Sequence, residues 1–149
     1  MSEIVPVQSI VNKIYHFRGV NVMLDRDLAE LYGVETKRLK EQVKRNIDRF
    51  PDDFMFELTK EEFEVLRSQN ATSKMEGRGG VRYLPYAFTE HGVLMLSNIL
   101  NSEKAVKVSI QVIRAFSMLK QMLSTHEDLK KKIEEMENRY DHQFRIIFD

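Results

Sequence analysis

The residues best equipped for chemistry in this chain are the cations of one short segment, Thr36-Lys37-Arg38-Leu39-Lys40-Glu41-Gln42-Val43-Lys44-Arg45. Wound at about 100° per residue, Leu39, Val43, Ile47 and Phe50 form an apolar arc, and Lys37, Arg38, Glu41, Lys44, Arg45 and Asp48 occupy the opposite face. An ammonium is a compact point charge suited to a phosphate oxygen, whereas the planar fork of Arg38 or Arg45 matches two acceptors on a guanine edge. From Lys37 to Arg49 six basic residues (Lys37, Arg38, Lys40, Lys44, Arg45, Arg49) stand against two acidic ones, Glu41 and Asp48, in a chain whose 23 basic and 23 acidic residues otherwise cancel. A local basic face on a neutral protein is compatible with phosphate binding but excludes a uniformly basic coat. The same face also fits a merely solvated helix.

Other candidates are weaker. Lys74, Arg78 and Arg82 lie in or beside a glycine-rich stretch (Gly77, Gly79, Gly80) that suits a basic arm ordering on a phosphate backbone or an ordinary surface loop. It lacks the Gly-Lys-Ser/Thr ending of a P-loop and opens no helix, so nucleotide binding is not expected. Glu90-His91 could be drawn as an acid/base pair, yet Glu90 reads better as a first-turn acid favoured by the helix dipole. His16, His91, His126 and His142 show no metal-ligand spacing, and the absence of cysteine excludes disulfides and thiolate zinc sites. No catalytic residue, metal or cofactor is expected.

The elements that must position the basic segment lie on both sides of it. Upstream, Asp27-Leu28-Ala29-Glu30-Leu31-Tyr32-Gly33-Val34 has the spacing of the first helix and turn of a helix-turn-helix. Two helices meeting at a steep angle need a small residue at the contact and one tolerant of positive φ between them, and Ala29 and Gly33 answer these needs. Leu28, Tyr32, Val34, Leu39 and Val43 are the side chains to bury. Asp25 or Asp27 is the expected N-cap of the first helix, and the second should run from Thr36 to about Ile47, stopping before Phe50-Pro51. Ile14–Phe17 and Val20–Met23, split by Arg18-Gly19, read as a hairpin. Phe54–Leu58 reads as a strand, and Thr59-Lys60-Glu61-Glu62 as a capping box opening a helix to about Arg67. Ser68 to Gly80 reads as a loop and Val81–Pro85 as a strand. Thr89-Glu90 opens a helix to about Leu100, and Ser102 caps another from Glu103. The fold class is α+β: a small domain over residues 9–121, carrying the helix-turn-helix and short strands, then a long C-terminal coiled-coil helix over 122–149.

Across the junction from the domain into that helix, Ala105, Val108, Val112, Ala115, Leu119, Met122, His126, Leu129, Ile133, Met136, Tyr140, Gln143 and Ile147 recur at alternating three- and four-residue steps, the a/d pattern of a coiled coil. Leu119, Met122, His126, Leu129, Ile133, Met136 and Tyr140 are the residues expected to join subunits, with a dimer the simplest assembly. The pattern is unfinished at Phe148-Asp149, so a continuation is expected. With no leader and no apolar run near the ~18 residues of a membrane span, a cytoplasmic setting is the default.

Three blocks, VMLDRDLAELYGVETKRLKEQVKRNIDRFPDDFMFELTKEE, GGVRYLPYAFTEHGVLMLSNILNSEKAV and IQVIRAF, occur in order between Ser9 and Leu119. They resemble the ORF-six-N domain of the KilA-N superfamily, found in phage antirepressor-like and related bacterial proteins; His91 stands where glutamine is usual. The resemblance implies a DNA-binding domain with a variable C-terminal region, and points to Thr36, Lys37, Arg38, Lys40, Lys44 and Arg45 as the DNA face, to which the helix geometry adds Glu41. The function expected from the resemblance and the C-terminal repeat together is a sequence-specific regulator of phage or mobile-element type that binds double-stranded DNA and dimerises through its C-terminal helix. The alternative is an antirepressor module that binds a repressor protein instead.

Overall fold

The computed structural model describes residues 6–70 and 83–140, with side chains for all of these except 69, 70 and 136–140. The elements are α1 (Val7–Val11), β1 (Tyr15–Phe17), β2 (Val20–Leu24), α2 (Asp25–Tyr32), α3 (Thr36–Arg45), a 3-10 turn (Ile47–Arg49), β3 (Met55–Glu57), α4 (Lys60–Asn70), β4 (Tyr86–Phe88), α5 (Glu90–Leu100) and α6 (Glu103–Tyr140). The chain divides into two compact units, Met1–Phe116 and Ser117–Asp149, the division falling within α6. The expected α+β class is what the first unit shows.

The sheet grows from the expected hairpin. Arg18 and Gly19 both take left-handed backbone, φ 55° and 79°, the conformation a two-residue turn needs to match the twist of its strands. β1 then pairs with β2 in antiparallel register, Tyr15 opposite Val22 and Phe17 opposite Val20. The remaining strands arrive from far along the chain: β4 lies between β2 and β3, antiparallel to both, giving the order β1-β2-β4-β3. Because side chains alternate along a strand, Met23, Met55 and Phe88 enter a core shared with α1, α2, α3, α5 and the start of α6. Val22, Leu24, Phe56 and Ala87 enter a second core closed by Phe63 and Leu66 of α4. Both faces of the central strands are therefore covered.

Two caps form as their residues require. Thr59 and Glu62 make a reciprocal capping box, the Glu62 amide donating to Thr59 Oγ1 at 3.1 Å and the Thr59 amide to Glu62 Oε1 at 2.8 Å. Ser102 Oγ accepts from the Ala105 amide at 3.1 Å at the start of α6. Glu62 also accepts both arms of the Arg18 guanidinium at 2.9 Å, which holds its carboxyl below the usual range and pins the hairpin tip to α4.

Several expectations are corrected. Of the strand expected at Val81–Pro85, residues 81 and 82 lie outside the described residues and 83–85 are not strand; the strand is Tyr86–Phe88, because pairing with β2 and β3 outweighs the β propensity of the residues just before it. The α1 helix was not expected; it has no side-chain cap and is held by burial of Ile10. Asp25 begins α2 but does not cap it. The α3 helix ends at Arg45, short of Ile47, and Ile47 and Val34 are exposed rather than buried. The α4 helix continues to Asn70, into the stretch expected as loop.

Candidate nucleic-acid interface

The basic segment is α3, and its orientation is set by the turn before it. Gly33 ends α2 with φ 74° and ψ 32°, and the Val34 amide returns to the Ala29 carbonyl at 3.0 Å. This left-handed exit, which a side chain would strain, reverses the chain within Gly33–Glu35 so that α3 packs back on α2. Leu28 and Ala29 from α2 meet Leu39 and Val43 from α3 in the common core, all but excluded from solvent. Tyr32 is buried there too, its hydroxyl 2.7 Å from Ser109 Oγ of α6. Burial pushes the Tyr32 phenol up from its ordinary value near 10 to about 12.

With Leu39 and Val43 facing inward, the helical period turns Lys37, Arg38, Glu41, Lys44 and Arg45 outward, all exposed, with Thr36 and Gln42 at the margin. Glu35, Lys37, Arg38, Glu41, Gln42 and Arg45 line an open surface depression of about 400 Å³. From Arg38 to Arg45 the helix backbone rises about 10 Å, roughly the height of three stacked base pairs. Among the described residues neither Arg38 nor Arg45 is committed to a carboxylate, unlike Arg18. Such a face can make charge-assisted hydrogen bonds to phosphate and bidentate contacts to base edges.

Lys40 behaves differently. Its ammonium points back into the fold, donating to the Leu84 carbonyl at 3.0 Å, lying 3.6 Å from Asp25 Oδ2 and 4.6 Å from the centre of the Tyr86 ring. Asp25 is itself buried, and accepts the Tyr86 amide at 2.9 Å. At this point β2 bends into α2, so the Asp25 carboxylate serves the amide of β4 where the next backbone carbonyl of a continuing ladder would have been. Burial pushes the Asp25 carboxyl up, against the lowering effects of the Tyr86 amide and the Lys40 ammonium.

The expected site residues thus separate into groups. Thr36, Lys37, Arg38, Glu41, Lys44 and Arg45 lie together on α3; Lys40 belongs to the same helix but to its inner side. Lys74, Arg78 and Arg82 lie outside the described residues. Of the residues expected to join subunits, Met122, His126 and Leu129 are exposed, Leu119 and Ile133 are half-buried, and the side chains of Met136 and Tyr140 lie outside the described set. The earlier positions of the same repeat, Ala105, Val112 and Ala115, are buried in the first unit's own core. Sequence reasoning passed over Gln42, although its place one turn beyond Arg38 was available as a signal. It also passed over Asp25 as a partner for Lys40, for which no local signal exists.

His91 stacks on Phe54, ring centres 5.5 Å apart and planes 19° apart, and Thr89 caps α5 by accepting the Gly92 amide. Among the described residues no group of three His, Asp or Glu side chains could hold a metal ion, and no helix is long and apolar enough to cross a membrane. No curated protein and no solved structure matches the chain. The model of the ORF6N domain does match, over residues 12–99, a span that runs from the hairpin through α2, the Gly33 turn and α3 to α5. The chain therefore belongs to the ORF6N domain family.

Proposed function

We propose that the protein is a sequence-specific, double-stranded DNA-binding regulator of phage or mobile-element type that binds without catalysis in the cytoplasm. The observation that carries this reading is the exposed basic face of α3, set out from the fold by the Gly33 turn and by burial of Leu39 and Val43. In this reading α2 and α3 form a helix-turn-helix whose second helix enters the major groove. Arg38 and Arg45 read guanine, and Lys37 and Lys44 bind phosphate. Lys44 and Arg45 also occupy the last turn of α3, where cations complement the helix dipole. Membership of the ORF6N domain family supports a regulatory role of phage type.

One short helix discriminates few base pairs, so a second copy is part of the proposal. Met122 and Leu129, exposed at helical spacing on α6, supply the apolar seam of a homodimer. Two α3 helices related by a two-fold axis would then read half-sites about 34–36 Å apart or a multiple of that.

The test is the affinity for duplex DNA against salt. A log–log slope of several units is expected, roughly −0.9 per phosphate neutralised, and Arg38→Ala with Arg45→Ala should weaken binding strongly. A flat salt response, unaltered in the double variant, would reject the DNA reading in favour of a module that binds a repressor protein.

A further inference from the structure

Lys40 sits on the helix assigned to DNA, yet its ammonium is spent inside the domain, and this arrangement has consequences for how α3 is presented. Only 18% of its side chain is exposed, against 4% for Asp25. Three groups from two distant segments converge on it: Asp25 where β2 ends, and the Leu84 carbonyl and Tyr86 ring where the chain enters β4. Apolar contacts through Leu39 and Val43 hold α3 close but leave rotation about its axis weakly specified, since hydrophobic contact is not directional. A hydrogen bond to a backbone carbonyl is directional. A buried ion pair often adds little net stability because desolvation offsets attraction, so its best use is to single out one arrangement among several.

Resting on the DNA reading above, we propose that Lys40 is a positioning residue that fixes the rotation of α3 against β4 through Asp25 and Leu84, and does not contact phosphate. The Lys40–Asp25 bridge sets which of the outward cations face a duplex, while Arg38 and Arg45 make the contact.

The experiment compares the full-length chain with Lys40→Met and with Lys40→Met combined with Asp25→Asn. Methionine keeps the apolar stem over Tyr86 without the charge, and asparagine keeps an acceptor for the Tyr86 amide without leaving a bare buried carboxylate. Affinity is measured against salt on a duplex enriched by the wild-type chain from a random-sequence pool, at a temperature where circular dichroism shows each variant folded. The expected result is an affinity loss of about tenfold in Lys40→Met with the salt slope unchanged, and a double variant that regains thermal stability but not affinity. A slope smaller by about one unit would make Lys40 a phosphate ligand and overturn the inference alone. Affinity recovered together with stability would reduce Lys40 to a stabilising residue and also overturn it. A wild-type chain that enriches no duplex would overturn the DNA reading, and this inference with it.

Discussion

Gly92 lies where the start of α5 closes on the Phe54 carbonyl, an approach made possible by the missing side chain. A β-carbon there would run into the carbonyl oxygen and lie 2.9 Å from the carbonyl carbon, and backbone cannot step aside as a flexible side-chain end can. Gly92→Ala should therefore cost about 3 kcal/mol, read as a lower urea midpoint at unchanged slope. Gly19→Ala is the contrasting case: no atom lies within 4 Å of its β-carbon, and only the left-handed backbone objects, for about 1 kcal/mol. Tyr32 carries a pH effect at the same scale. Its folded pKa is about 12 and its ordinary value 10.0, so the native state holds the phenol proton where the unfolded chain has released it. That contribution is complete below pH 10 and is lost as pH rises toward 12, at up to about 1.4 kcal/mol per unit. Denaturant titrations across this window should show a steeper fall in stability for wild type than for Tyr32→Phe.

Among the elements, the β1–β2 hairpin and α4 are joined by one carboxylate. Glu62 closes its own helix cap and grips Arg18, whose guanidinium also lies 4.1 Å from the centre of the Phe56 ring. Glu62→Ala should lose about 1–2 kcal/mol. Because Arg18 holds the Glu62 carboxyl below its usual pKa, the stability it contributes is present above the ordinary carboxylate value and disappears as pH falls through the depressed one. Acid unfolding of Glu62→Ala should consequently show a shallower pH dependence than wild type. The capping box, the hairpin, α5 and the pairing of α2 with α3 were all legible in the sequence, since each depends on residues within one or two turns of each other. The place of β4 was not: Val81–Pro85 has the stronger local strand composition, but Tyr86–Phe88 is the stretch whose pairing completes the ladder with both β2 and β3.

For the whole molecule, the C-terminal repeat has two fates along one helix. Ala105, Val112 and Ala115 are consumed by the first unit's core, whereas Met122 and Leu129 stay exposed. Light scattering on Met122→Glu with Leu129→Glu should give the mass of a single chain where wild type gives two, and an unchanged mass would remove the seam from the proposal. The α+β class, the two helices joined at Gly33 and the outward basic face of α3 can be read from the sequence, because periodicity, caps and turn residues act over short spans; the family is carried by the three blocks that resemble it. Contacts made only in the folded chain settle that both faces of the central strands are covered, that β4 enters between β2 and β3, and that Lys40 turns inward to Asp25 while its neighbours on α3 face out. Those outcomes depend on contacts between residues far apart in the chain, and a single helix cannot disclose which of its cations will meet a buried carboxylate when the sheet forms.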